Sequence, residues 1–252
     1  MLAQGQPASA VAVLRAALAT ITPDTVTPGS DATDVGLSPR DVIAAASVYA
    51  TALDPHEGGD WLSLRWARHA YHASRSTHGA DHTRTLHTAE VLARVLTSYR
   101  LDDEAIILRQ QLCEQRTHRD GPTAATTVAA RIELAILLHS AGHCTDAITA
   151  LITVWTLWAE LHGAGHPDSI AIRMQLAALL ATCGDDTAAA WHTAQAYRDY
   201  WAFPRPDSDA AQPRLAVRWL GEPDDDHHTL CGRYESSPSE SAATGPAEGQ
   251  HR

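Results

Sequence analysis

The chain has 252 residues and a formal net charge of −11, from 30 acidic residues against 19 arginines; it contains neither lysine nor asparagine. An acidic balance of this size argues against nonspecific binding to DNA or RNA, which needs a basic surface. No run approaches the roughly 18 apolar residues of a membrane-spanning helix, so neither a nucleic-acid nor a membrane partner is expected.

Residues 1–21 open with an alanine-rich amphipathic stretch. Pro7 can occupy a first helical turn, where its missing N–H costs nothing, and Val11, Leu14, Leu18 and Ile21 form an apolar stripe. Residues 22–37 are rich in Thr, Pro, Gly and Asp and read as a linker. Ser38 is a plausible N-cap, with Pro39 at the first helical position. From there the apolar spacing predicts helices over about 38–53, 61–76, 83–99, 102–118, 124–140, 144–162, 167–182 and 186–202. Residues 204–252 hold six of the 13 prolines and nine acids and read as a largely disordered tail. One apolar segment interrupts that tail, at Leu215, Val217, Trp219 and Leu220; the two readings are a disordered motif that serves another partner and a short helix that docks on the repeat surface.

A 42-residue echo links these helices: Leu92-Ala93 recurs as Leu134-Ala135 and as Leu176-Ala177. Thr85, Thr127 and Ser169 share one slot, Ala105, Ala147 and Ala189 another, and Gly142 and Gly184 a third. A fixed period of this length implies stacked helical hairpins rather than one closed core. The small residues mark where paired helices approach most closely.

Each unit, helix–turn–helix with these small residues, resembles the tetratricopeptide repeat (TPR). More narrowly it is similar to the 42-residue variety of kinesin light chains and of bacterial NB-ARC-associated proteins. Gly165-His166-Pro167-Asp168-Ser169-Ile170 matches the turn that opens such units best. Gly79-Ala80-Asp81-His82-Thr83-Arg84-Thr85-Leu86 is a good match and Asp120-Gly121-Pro122 a degenerate one; Gly142-His143-Cys144-Thr145-Asp146-Ala147 supplies the closing half. The resemblance covers residues 38–203 and implies an all-α, right-handed α-solenoid of four antiparallel hairpins. Residues 1–21 then fit the second half of a repeat whose first helix is missing. Their open apolar face is expected to pack on the next hairpin or to be buried in a homo-oligomer.

Little in the chain points to chemistry. Three His-x-x-x-His pairs (His78/His82, His139/His143, His162/His166) span predicted turns and lack the glutamate of a metalloprotease helix; His82 and His166 fill the histidine position of the family turn. Cys113, Cys144, Cys183 and Cys231 are widely spaced, without a Cys-x-x-Cys pair, and read as reduced thiols. There is no phosphate-binding loop and no nucleophile–base motif. The seven tryptophans read as packing between hairpins. No catalytic residue, cofactor or metal is therefore expected, and the location expected is cytoplasmic.

The resemblance implies a concave groove lined by the first helix of each unit. Its candidate residues are His87, Glu90, Arg94 and Ser98, then Glu133, Ile136 and His139, then Met174, Gln175 and Ala178. The lysines and asparagines that clamp a peptide carboxylate in this family are missing, which points to an amphipathic or basic peptide. The function expected is a non-catalytic scaffold or regulatory module binding a protein or peptide segment. The alternatives are an accessory factor to an enzyme or biosynthetic pathway, and a histidine-based metal-site protein.

Overall fold

The structure, a computed structural model, describes residues 12–16, 18, 38–53 and 61–203. Among these residues there is no strand. Eight helices follow in order: α1 (Pro39–Ala52), α2 (Leu62–His78), α3 (Thr83–Ser98), α4 (Asp102–Asp120), α5 (Ala125–Ser140), α6 (Cys144–His162), α7 (Pro167–Thr182) and α8 (Asp186–Ala202). The chain divides into two compact units, residues up to Leu137 and residues from Leu138. In the first, α1 packs on α2, α2 on α3, and α3 on both α4 and α1; in the second, α6 packs on α7 and α7 on α8.

The slots of the 42-residue echo acquire physical meaning one by one. Ala93, Ala105 and Ala135 in the first unit, and Ala147, Ala177 and Ala189 in the second, are all buried. Around them sit the large apolar side chains of the same helices, such as Leu86, Leu92 and Leu112, and Leu151, Val154 and Leu176. A methyl group at the crossing lets two backbones approach while these neighbours fill the flanks.

The reversals follow an even tighter rule. Gly79, Arg100, Gly121, Gly142, Gly163 and Gly184 all have positive φ, between 57° and 94°, and they recur every 21 residues. Arg100, Gly142 and Gly184 follow the ends of α3, α5 and α7. At Gly142 and Gly184 the amide N–H donates back to His139 O (3.0 Å) and Ala181 O (2.9 Å), and the following residue, His143 or Asp185, bonds Leu138 O or Leu180 O. These are the paired bonds that satisfy carbonyls at a helix end. Arg100 makes the same bonds, to Thr97 O and on through Leu101 to Leu96 O, but at φ 57°. It is the glycine slot filled by a side chain that pays a steric cost there.

The hydroxyl slot ties each loop to the next helix. Thr85 Oγ1 donates to Gly79 O (2.7 Å) and Thr127 Oγ1 to Gly121 O (2.8 Å). In the last repeat His166 N–H takes Gly163 O instead (3.2 Å), and the buried Ser169 Oγ has no hydrogen-bond partner among the described residues. The histidine slot is an N-cap: His82 Nδ1 accepts from Arg84 N–H and His166 Nδ1 from Asp168 N–H, each at 3.2 Å. The middle repeat puts Ala124 there, which has no side-chain oxygen or nitrogen to offer. Gly165 is required by close approach, since a Cβ at that position would meet the Asp199 carbonyl and the Phe203 side chain.

Ser38 forms a full capping box with Asp41 and so starts α1. Before it, residues 12–16 are helical; Arg15 Nε donates to Tyr49 Oη of α1 (3.3 Å), and Leu18 is buried. This contact agrees with packing on the next hairpin. Val11, Ile21, the linker at 22–37 and the tail at 204–252, with its segment from Leu215 to Leu220, lie outside the described residues.

Three measurements check this account. Ala135→Phe is expected to lower stability by about 1–3 kcal/mol through overpacking. Arg100→Gly is expected to raise it by up to about 1 kcal/mol through relief of the left-handed strain. Removing the slot hydroxyl is expected to cost about 1 kcal/mol in Thr127→Ala but almost nothing in Ser169→Ala, where no bond is lost. Urea denaturation of each variant reads all three, and equal costs for the last two would contradict the hydroxyl's role.

Candidate functional site

In the first unit the outward stripe of α3 carries His87, Arg94 and Ser98, all exposed, with Glu90 half-buried between them. Their spacing of seven and four residues keeps them on one helix face. Glu90 is already partnered: its carboxylate pairs with Arg116 of α4. Glu133 of α5 likewise pairs with Arg109 of α4. The two arginine side chains are largely buried, so these are held pairs rather than loose surface contacts. Arg131 also turns inward, donating to Thr117 Oγ1 (3.3 Å) and Pro122 O (3.5 Å). Ile136 is half-buried on the same helix as Glu133.

In the second unit Met174 is half-buried and Ala178 exposed, whereas Gln175 and His139 are buried. The reason lies in the register. Val91, Glu133 and Gln175 share one slot of the echo, and it faces inward at Val91 and Gln175. Arg94, Ile136 and Ala178 share another, which faces outward at Arg94 and Ala178 and is half-buried at Ile136. The sequence-derived lining mixes the two. His139 sits instead with Cys144 and Cys183, their ligand-capable atoms all within 4.8 Å of one another. The expectation of packed tryptophans holds only in part. Trp66 and Trp158 are buried, but Trp61, Trp191 and Trp201 are exposed, the last by 73%.

The strongest electrostatic feature of the second unit is Arg173 on α7. Its guanidinium lies over the Trp155 ring at 4.0 Å and near Trp191 at 5.9 Å, and it pairs with Asp199 of α8. Burial lowers its pKa and Asp199 only partly opposes this; an arginine stays charged even so. Nearby His192 is held below its ordinary pKa, first by burial and then by Arg173. α8 also exposes Trp191, Tyr197, Tyr200 and Trp201. Nothing in the sequence separated these aromatics from core ones, because polar and apolar residues are spread all round α8 and show no covered side.

Of the histidine pairs, the rings of His78 and His82 stack at 4.7 Å and those of His162 and His166 lie at 5.3 Å. Since Nδ1 of His82 and of His166 accepts a backbone N–H, both serve their helix starts. The thiol of Cys113, on α4, is pushed up to about 11 by burial, which leaves it unreactive at neutral pH.

No family model matches this chain, and no curated protein does. Solved structures do. One is a Podosopora anserina putative kinesin light chain with nearly identical TPR-like repeats (18% identity, TM-score 0.63), a match spanning 79% of this chain and 89% of that one. Another is BtubC (BKLC) from P. vanneervenii, at 17% identity and TM-score 0.59, covering 88% of this chain and 83% of that one. The fold is TPR-like. Within the first unit α1 pairs with α2 and α3 with α4, and within the second α7 pairs with α8.

Three outcomes test these electrostatics, two in the second unit and one in the first. Asp199→Asn leaves a buried guanidinium without its counter-charge and is expected to cost about 2–4 kcal/mol. The exposed Arg68–Glu104 pair, at 2.7 Å, is expected to contribute under about 1 kcal/mol when broken in Arg68→Ala. Because the folded state depresses the pKa of His192, the unfolded chain binds more protons near its unfolded pKa of about 6.5. Stability is therefore full above that pH and falls below it, and His192→Gln is expected to flatten the slope. Urea midpoints of the wild type and variant from about pH 5 to 7.5 read the difference.

Proposed function

We propose that the chain is a non-catalytic interaction scaffold that binds a protein or peptide segment. The observation that carries this reading is the line of exposed polar side chains on α3, His87, Arg94 and Ser98, on a helix whose other faces are buried against α1, α2 and α4. In a hairpin solenoid the helix faces that neither neighbour covers are the surface left for a partner. Ile136 adds an apolar element to the same unit. Met174 and Ala178 extend the proposal to the second unit, while Gln175 and His139 drop out because they are buried.

The chemistry of the partner follows from the ion pairs. Glu90 and Glu133 are neutralised by Arg116 and Arg109 of the chain itself. What remains to a ligand is His87, Arg94, hydroxyls and apolar surface, which suits an amphipathic segment better than a strongly basic one. The exposed aromatics of α8 favour a second contact area. Aromatics are enriched where proteins bind proteins, and Trp191 and Tyr197 are 53% and 61% exposed. Among the described residues no helix is long and apolar enough to cross a membrane.

Affinity capture from the source cell with the full chain, followed by mass spectrometry, tests both areas. Arg94→Glu with His87→Glu is expected to abolish capture of the specific partner at least ten-fold while leaving the melting temperature unchanged. If only Trp191→Ser with Trp201→Ser removes it, binding belongs to α8; if neither pair does, the scaffold reading of these surfaces fails.

A further inference from the structure

One buried cluster has a chemistry that hairpin packing does not call for. His139 lies in the last turn of α5, Cys144 opens α6 and Cys183 caps the C-terminus of α7. All three are buried, and one ligand-capable atom from each lies within 4.8 Å of the other two. Forty-two residues earlier the same slots hold Thr97, Asp102 and Ala141. The repeat therefore closes without thiols or imidazole at these positions, and their presence here is particular to this junction. Two thiols and an imidazole are soft donors of the kind that select zinc or copper(I) over magnesium or calcium.

The contacts of the imidazole are compatible with the form a metal needs. Thr182 Oγ1 donates to Leu179 O at 2.8 Å, since a carbonyl can only accept. The same oxygen lies 2.9 Å from His139 Nε2. With the Thr182 hydroxyl proton on Leu179 O, Thr182 accepts from His139 Nε2–H, and in that tautomer Nδ1 is the nitrogen open to a metal. A ring held through its second N–H is the outer-shell arrangement that orients metal-binding histidines.

We propose that His139, Cys144 and Cys183 form a three-ligand site for zinc. Charge favours zinc over copper(I). Two thiolates balance a 2+ ion, so the buried assembly is neutral, whereas a 1+ ion would leave a net negative charge in an apolar setting. Loading is balanced by release of the two thiol protons to solvent, with no change of oxidation state. Bond lengths of about 2.3 Å to sulfur and 2.0–2.1 Å to nitrogen put tetrahedral donors roughly 3.5–3.8 Å apart, so donors that lie within 4.8 Å of one another need to close by at most about 1.3 Å. The fourth position goes to water or to a donor brought by a partner. The ion staples the end of α5, the start of α6 and the end of α7, so its occupancy sets the stability of the second unit by mass action.

The test uses the full chain, stripped of metal by chelator under reducing conditions and then titrated with zinc alone. The expected result is one zinc per chain by elemental analysis and a rise in melting temperature that grows with zinc concentration. Cobalt(II) in place of zinc is expected to show thiolate-to-metal charge-transfer bands of two-thiolate intensity, a reading that needs no variant. Cys144→Ser and Cys183→Ser are each expected to lose the bands and the thermal shift; Cys113→Ser, outside the cluster, keeps both. Thr182→Val is expected to weaken zinc about ten-fold or more through loss of the ring's anchor. Absence of zinc binding, zinc retained by both cysteine variants, a Cys144–Cys183 disulfide formed in its presence, or preference for copper(I) would each overturn the assignment.

Discussion

The close approach of paired helices at an alanine is the constraint on which the rest of this molecule depends. A methyl group is what Ala93, Ala105, Ala135, Ala147, Ala177 and Ala189 each bring to a buried crossing. The separation fixed there decides which flanking positions touch. Leucines and valines on either side fill the remaining space. Three largely buried arginines, Arg109, Arg116 and Arg173, lie along the helices with their stems covered and their heads on carboxylates. Arg109 and Arg116 on one helix thus hold Glu133 and Glu90 on its two neighbours. A planar fork suits this role better than a point charge, because it fixes direction as well as sign.

The fold was legible because its constraints repeat. Any one alanine or glycine says little, but the same residue class at three positions 42 apart is hard to produce by chance, and the structure gives each slot a task. The helix bounds expected from apolar spacing lie within about two residues of those observed. One slot escaped notice: Arg100 stands where Gly142 and Gly184 stand later, and only backbone angles reveal that an arginine is performing a glycine's turn. The capping role of His82 and His166 was hidden for a related reason, since histidine is a rare N-cap and its residue type suggests metal or proton chemistry first.

The candidate site was far less legible. Groove residues were projected from a repeat pattern, and a slip between two neighbouring slots was enough to place buried Gln175 and His139 among exposed side chains. The ion pairs join residues 24 and 26 positions apart, a separation set by how two helices lie against each other and not by any local period. His139, Cys144 and Cys183 are separated by 5 and then 39 residues. No short motif spans such a gap; three helix ends meeting in space do. Sequence periodicity reports what all repeats share, and function tends to reside in what one junction has and the others lack.

The even spacing of the left-handed residues has a consequence for how such a chain can change its length. Each of the six positions from Gly79 to Gly184 reverses the direction of travel, and they are 21 residues apart. Excising 42 residues between two equivalent loops, from one glycine loop to the next, rejoins like with like and preserves the direction of every later helix. Excising 21 would send all following helices the opposite way along the stack, and removing one residue within a helix would rotate everything beyond it by about 100°. The molecule can therefore grow or shrink only in whole hairpins, and duplication or loss of 42-residue blocks is the route by which lineages of this architecture can acquire different lengths while keeping one geometry.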